Sequence, residues 1–130
     1  HVIPAIILKI FNAKKTNSDS IILWGDGSPT RDFLYADDAA RGIILAAENY
    51  NDHQPVNLGS NDEISIKNLA EIISKHMDFH GDIKWDTSKP NGQPRRRVSN
   101  DKARTAFGFN PETSIEEGIK NTINWFLDQK

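Results

Sequence analysis

The N-terminal segment has the apolar spacing of an amphipathic helix. Isoleucine and phenylalanine recur three and four residues apart between Ile3 and Phe11, and the lysines of the segment fall on the opposite side. Side chains with this spacing share one face of a helix. Residues 3–15 are therefore predicted to form a helix with one buried face.

The next two predicted helices are each introduced by a capping residue. Asp37 or Asp38 is expected to cap a helix over residues 39–49, because an aspartate can accept hydrogen bonds from the free N–H groups of a first turn. These two carboxylates are interpreted as cap and hinge rather than as catalytic groups. Ser65 is expected to cap another helix, whose apolar positions share one face (Ile66, Leu69, Ile72 and Ile73).

The C-terminal third predicts two more helices. A short one is expected over residues 101–107. Thr113 and Ser114 then offer two overlapping capping boxes, since each is followed by a glutamate three residues later. The helix that they start has one apolar stripe, with Trp125 beside it (Ile115, Ile119, Ile123 and Phe126).

Short strands are predicted between these helices, at residues 21–24, 32–35, 56–58 and 83–85. The alternation of short strands with four to five helices predicts a small mixed α/β domain. Because the strands are too few and too short for a complete doubly wound sheet, we expect the chain to be part of a larger protein.

Two glycines one residue apart follow the first strand, in the stretch Trp24-Gly25-Asp26-Gly27-Ser28-Pro29. A dinucleotide-binding loop requires a third glycine three residues later and an immediate helix start. Position 30 is Thr and an extended segment follows, so a tight turn is the better interpretation. Trp24 and Arg31 flank this turn, where a stacking surface and a bidentate anion donor could face one bound molecule.

Composition narrows the class of protein. The 130 residues suit a single small domain, with 37% hydrophobic and 26% charged residues. The absence of cysteine excludes disulfides, and a cytoplasmic location is expected. No apolar run is long enough to span a membrane, and no secretory leader is expected. No metal site is expected, because His53, His76 and His80 lack metal-ligand spacing.

Charge is distributed unevenly along the chain. The net charge is -2, yet residues 84–104 carry seven basic residues against two acidic ones. One basic segment on an acidic body indicates a local anion site rather than a surface for nucleic acid. A nucleic-acid binder that uses Arg95, Arg96 and Arg97 remains as an alternative.

Four segments occur here in an order that resembles a known family: HVIPAIILKI, WGDGSPTRDFLYADDAARGI, VNLGSNDEISIKNLAEII and WDTSKPNGQPRRR. They are similar to the C-terminal, substrate-binding half of extended short-chain dehydrogenases/reductases that act on nucleotide sugars. The stretch from Ser88 to Arg95 most resembles GDP-L-fucose synthases, which are NADPH-dependent epimerases and reductases. The resemblance implies that residues 1–130 are a C-terminal substrate-binding domain. It also implies that NADP is bound by an N-terminal Rossmann domain absent from this chain, which would hold the catalytic Ser and Tyr-x-x-x-Lys.

The resemblance also implies roles for single residues. His1 matches the proposed general acid in epimerisation, a role that suits a side chain titrating near neutral pH; the alternative is a disordered terminal residue. Lys9 matches a basic position near the substrate diphosphate, or is a solvated helix lysine. Trp24 and Arg31 match residues that line the substrate pocket, with Arg31 toward the diphosphate, although Trp24 could equally be a core residue.

Two further residues lie in the proline-bounded loop. Lys89 matches a lysine at the nucleotide end of the substrate. Arg95 is a candidate for the diphosphate or for loop anchoring. The chain departs from the family at residues 98–101, where Val-Ser-Asn-Asp replaces the usual Leu-Asp-x-Ser, and at Asp32, where Glu is common.

The resemblance favours a GDP-sugar as substrate and a homodimer for the full-length protein, with no nucleic acid and no membrane as partners. Two alternatives stay open. One is another epimerase or dehydratase of the same framework, such as a UDP-sugar 4-epimerase or a GDP-mannose dehydratase. The other is a non-catalytic sugar-nucleotide-binding module.

Overall fold

A computed structural model describes residues 1–129. In this part of the chain the helices are α1 (Val2–Lys15), α2 (Ala36–Asn49), α3 (Ile66–His76), α4 (Asp101–Phe107) and α5 (Ile115–Asp128). The strands are β1 (Ser20–Trp24), β2 (Thr30–Asp32), β3 (Glu63–Ser65), β4 (Asp82–Asp86) and β5 (Arg95–Arg96). None of the described helices has the length and apolar character needed to cross a bilayer.

The strands form two small sheets. Strands β1 and β4 pair in parallel, from Ser20 opposite Asp82 to Trp24 opposite Asp86. In the other sheet, β2 lies between β3 and β5, antiparallel to the first and parallel to the second. The predicted mixed α/β fold is confirmed. This pairing brings the glycine turn after β1 beside the segment that follows β4.

The main core lies between α1, α3, α5 and the β1–β4 pair. Its fully buried aliphatic side chains are Ile6, Ile7, Ile10, Leu69, Ile73, Ile119 and Ile123. Full burial of one such side chain contributes about 1.5–3 kcal/mol. The apolar stripes predicted from the sequence therefore meet one another, and α1 packs beside β1, the strand that leads into the glycine turn.

A second, smaller cluster joins α2 to α4 around the buried side chains of Ala103, Phe107 and Phe109. Gly42 of α2 packs directly on it. A Cβ atom at that position would lie 2.8 Å from the ring of Phe109. The cluster therefore holds α2 against α4.

Two predicted helix caps are confirmed. The Ser65 hydroxyl accepts a hydrogen bond from the N–H of Asn68 at 3.1 Å, at the start of α3. The Ser114 hydroxyl accepts one from the N–H of Glu117 at 3.2 Å, at the start of α5. Of the two overlapping capping boxes, the second one supplies the cap, through the hydroxyl of Ser114.

The prediction that Asp37 or Asp38 caps the second helix is wrong. The helix starts earlier, at Ala36, and its N-cap residue, Tyr35, makes no side-chain cap. Asp38 is buried and accepts hydrogen bonds from the N–H groups of Glu112 and Thr113, at 3.1 and 2.9 Å. Its carboxylate therefore holds the chain segment that leads into α5.

The predicted strand at residues 56–58 is also wrong. Within the described chain no strand pairs with these residues. The following Gly59 instead bonds the side chain of Asn100 through both backbone groups, and its N–H lies 2.6 Å from Oδ1. Val56 and Leu58 pack on the cluster around Phe109. The strand predicted at 32–35 lies earlier, at Thr30–Asp32.

Candidate functional site

The glycine turn is built by positive φ angles and by close contacts. Gly25 and Gly27 have φ values of 79° and 77°. A Cβ atom on Gly27 would lie 2.7 Å from the ring of Trp85. The N–H of Gly25 donates to the carbonyl of Asp86 at 2.9 Å, and that of Asp26 donates to Asn91 Oδ1 at 2.8 Å. These N–H groups are therefore already bonded to protein.

This geometry does not fit the phosphates of a dinucleotide. A pyrophosphate loop presents free backbone N–H groups at a helix start. Here the turn leads into β2, and the N–H groups of Gly25 and Asp26 are occupied. We assign no step of a reaction to a cofactor held at this turn.

A cavity of about 540 Å³ opens beside the turn. It lies between the start of α1, the end of β1, β2, the start of α3 and the loop after β4. His1, Lys9, Trp24 and Arg31 all line it. Its volume lies within the range of about 300–1,000 Å³ typical of small-molecule sites.

Arg31 is held rigidly in the cavity wall. Its Nη1 donates to the carbonyls of Thr30 and Gln93, at 2.7 and 2.8 Å. Its Nε and Nη2 make no hydrogen bond with the described residues. The guanidinium is thus fixed by neutral partners while the rest of its fork stays available to an anion.

Trp24 is not a core residue, because 66% of its surface is exposed. The ammonium nitrogen of Lys89 lies 5.9 Å from the centroid of its ring, within the range of a cation–π contact. Lys89 is therefore close to the cavity that Trp24 lines. This pair presents a flat aromatic face and a positive charge at the same edge.

Lys9 of α1 and His1, which directly precedes that helix, both line the cavity. Lys9 is exposed, and its ammonium group donates to the carbonyl of Ile22 at 2.6 Å. The carbonyl of His1 accepts from the N–H of Ala5 at 3.2 Å, and its side chain makes no cap on the helix.

Arg95 lies outside this cavity. Its Nε and Nη2 donate to the two oxygens of Glu63, at 2.8 and 2.7 Å, in a bidentate pair. Hydrogen bonds from Arg95 and from the hydroxyl of Thr30 lower the pKa of Glu63 to about 2. Arg95 thus joins β5 to β3. Of the two roles expected for it, diphosphate binding and loop anchoring, this arrangement corresponds to anchoring.

Asn91 and Trp85 also line the cavity, and sequence reasoning did not single them out. Nothing in the local sequence distinguishes Asn91 from any exposed loop asparagine, since its partner Asp26 lies 65 residues earlier. The described residues contain no group of three or more His, Cys, Asp or Glu that could hold a metal ion.

The sequence model of the NAD dependent epimerase/dehydratase family matches residues 1–59 of this chain. A putative GDP-L-fucose synthase 2 of Arabidopsis thaliana is 38% identical over 128 residues, which are 98% of this chain and 39% of that protein. A GDP-L-fucose synthase of Sinorhizobium fredii is 39% identical over 127 residues, which are 98% of this chain and 40% of that protein.

The similarity extends to solved structures. The crystal structure of a GDP-L-fucose synthetase from Naegleria fowleri bound to NADP has a TM-score of 0.92 and 34% identity, over 99% of this chain and 40% of that one. The chain thus spans about two fifths of the length of the relatives it matches. These findings confirm the resemblance: over nearly its whole length the chain is similar to proteins named GDP-L-fucose synthases, and it fits a fragment of the NAD dependent epimerase/dehydratase family.

Proposed function

We propose that this chain forms the sugar-nucleotide-binding part of an NADP-dependent epimerase/reductase that acts on a GDP-sugar. The observation that carries the proposal is the convergence of Lys9, Trp24 and Arg31 on one cavity of about 540 Å³, with Lys89 at its edge. The relatives that are named GDP-L-fucose synthases support the choice of substrate.

The side chains suit the parts of such a substrate. Arg31 offers a preorganised fork for the diphosphate, and a charge-assisted hydrogen bond of this kind contributes about 1.5–3 kcal/mol. Lys9 adds positive charge from α1. Trp24 and Lys89 offer a stacking face and a cation for the nucleotide end.

His1 is the candidate proton donor, because it lines the same cavity as Arg31 and Trp24. Its imidazole can deliver a proton to an enolate beside the sugar ketone at neutral pH. The remaining chemistry, hydride delivery from NADPH to the ketone, is assigned to residues outside this chain.

The proposal places the chain in a longer cytoplasmic protein that forms a homodimer. The length of the relatives supports the longer protein. Ile43 and Ile44 on α2 are 63% and 58% exposed, and two apolar side chains exposed side by side suit a face packed on further protein. Sedimentation of the longer protein would test the dimer.

Calorimetry with GDP tests the substrate class. The 130-residue chain is expected to bind GDP, and Arg31→Ala is expected to weaken binding roughly 10- to 150-fold, the equivalent of one lost charge-assisted bond. The GDP affinity of Arg31→Lys should lie between those of the parent chain and Arg31→Ala, because lysine keeps the positive charge but lacks the forked guanidinium. Arg96→Ala is the matched control, since Arg96 does not line the cavity.

The other outcomes separate the alternatives. Tighter binding of UDP than of GDP would favour a UDP-sugar enzyme. RNA binding that weakens steeply with salt would favour a nucleic-acid binder that uses the arginines at 95–97. Failure to bind any nucleotide, with the fold intact, would contradict the proposed function.

A further inference from the structure

One wall of the cavity is a loop, residues 87–94, that joins β4 to β5. It contributes Pro90 and Asn91 to the lining and holds Lys89 near Trp24. All eight residues are exposed, so no buried side chain of the loop fixes its position. An exposed loop without such an anchor retains conformational freedom that binding must remove.

Hydrogen bonds hold this loop mainly at its ends. At its start, the N–H groups of Ser88 and Lys89 bond back to Asp86, at 3.1 and 3.2 Å. At its end, the carbonyl of Pro94 accepts from the N–H of Thr30 at 2.9 Å, and that of Gln93 accepts from Arg31 at 2.8 Å. These bonds leave the middle of the loop, residues 90–92, without support.

Asn91 provides that support. Its Oδ1 accepts from the N–H of Asp26 at 2.8 Å, so one side chain ties the middle of the loop to the glycine turn. Gly25 is matched to it, because a Cβ atom there would lie 2.0 Å from Asn91 Oδ1 and 3.2 Å from its Cα. A side chain at position 25 would therefore displace the Asn91 oxygen from this hydrogen bond, and the positive φ of Gly25 disfavours a side chain there as well.

We propose that Asn91 is a positioning residue: it fixes the loop so that Lys89 stands at the cavity edge beside Trp24 before a nucleotide binds. The proposal rests on the proposed function for the identity of that nucleotide. Its physical reason is preorganisation, since a loop that is ordered in the free protein loses less entropy on binding.

The first experiment needs no ligand. Backbone ¹⁵N relaxation is measured on the 130-residue chain, on Asn91→Ala and on Asn51→Ala, an exposed loop asparagine away from the cavity. The order parameters of the backbone N–H groups of residues 88, 89, 91 and 92 are expected to fall in Asn91→Ala from about 0.85 toward 0.6 or less, and to stay unchanged in Asn51→Ala. Unchanged order in Asn91→Ala would overturn the proposal.

The second experiment uses GDP and a double-mutant cycle. Asn91→Ala is expected to weaken GDP binding about tenfold, and Asn51→Ala not at all. Lys89→Ala should weaken binding in the parent chain but much less in the Asn91→Ala background, because Lys89 is no longer held in place. Full additivity of the two substitutions would show that Asn91 does not act through Lys89 and would overturn the proposal.

The two readouts separate the two claims. If the parent chain does not bind GDP, the proposed function fails, and the relaxation measurement still decides whether Asn91 orders the loop. If GDP binds and the order parameters do not respond to Asn91→Ala, the proposed function stands and the role of Asn91 is wrong.

Discussion

The carboxylate of Glu63, in β3, bonds to both of the other strands in the three-stranded sheet. It accepts both hydrogen bonds from Arg95 in β5 and one from the Thr30 hydroxyl in β2. These bonds favour its charged form and lower its pKa to about 2, against 4.5 for an unperturbed glutamate. The loop that lines the cavity ends in β5, so this carboxylate also fixes the end of that loop.

The lowered pKa of Glu63 predicts a pH dependence of stability. Its contribution is fully present above the unfolded value of 4.5 and is lost as the pH falls through the folded value of about 2. In urea unfolding, the difference in free energy of unfolding between the parent chain and Glu63→Gln should be largest at pH 6 and shrink as the pH falls below 4.5.

Glu48→Gln is the control, because Glu48 is exposed on α2. Its difference from the parent should stay small at both pH values. An equal effect of Glu63→Gln at pH 6 and pH 2.5 would contradict the expected titration of this carboxylate.

At the scale of elements, Asp38 connects helices that are distant in sequence. It lies in the first turn of α2 and binds the backbone ahead of α5 as well as the guanidinium of Arg41, at 2.7 Å. Burial alone raises the pKa of Asp38, but the hydrogen bonds from Arg41, Thr113 and Glu112 outweigh it and lower this pKa to about 2. The charged carboxylate is therefore the form that the fold requires.

Asp38→Ala is expected to lower the free energy of unfolding by about 3 kcal/mol, because it leaves the N–H groups of Glu112 and Thr113 without their acceptor and removes one of the acceptors of Arg41. Asp37→Ala provides a matched control in the same helical turn. Asp37 is exposed, so its loss should change stability by about 0.5 kcal/mol or less. Equal effects of the two substitutions in chemical denaturation would rule out the connecting role of Asp38.

At the scale of the whole molecule, the cavity proposed to bind a sugar nucleotide lies in a chain that has about two fifths of the length of its relatives. The NADP-bound neighbour and the family description support a nicotinamide cofactor for the family. Here the glycine turn uses its N–H groups for internal bonds. The 130 residues contain neither a Gly-x-x-Gly-x-x-Gly fingerprint nor a Tyr-x-x-x-Lys motif.

The 130-residue chain alone is therefore expected to show no oxidoreductase turnover. The measurement is NADPH consumption, followed by absorbance, with GDP-4-keto-6-deoxymannose as substrate. GDP binding by the same preparation serves as the control that the cavity is folded. Measurable NADPH consumption above the rate without protein would contradict the proposal that hydride delivery depends on residues outside this chain.

Local features of the fold followed from the sequence. The stripes of α1, α3 and α5 and the caps at Ser65 and Ser114 depend on residues at most a few positions apart. Periodicity and capping chemistry are short-range effects, so they can be recognised without any knowledge of the partners. The glycine turn was likewise distinguished from a dinucleotide loop by its immediate neighbours.

The tertiary structure alone decided which distant groups meet. Arg95 pairs with Glu63, Asn91 with Asp26, and Asp38 with the chain before α5, across 32, 65 and more than 70 residues. The local sequence at 56–58 favours a strand, but a strand forms only where a second one is in reach to take its hydrogen bonds. Pairing partners are chosen by the packing of the whole chain, and that packing is not encoded in any single segment.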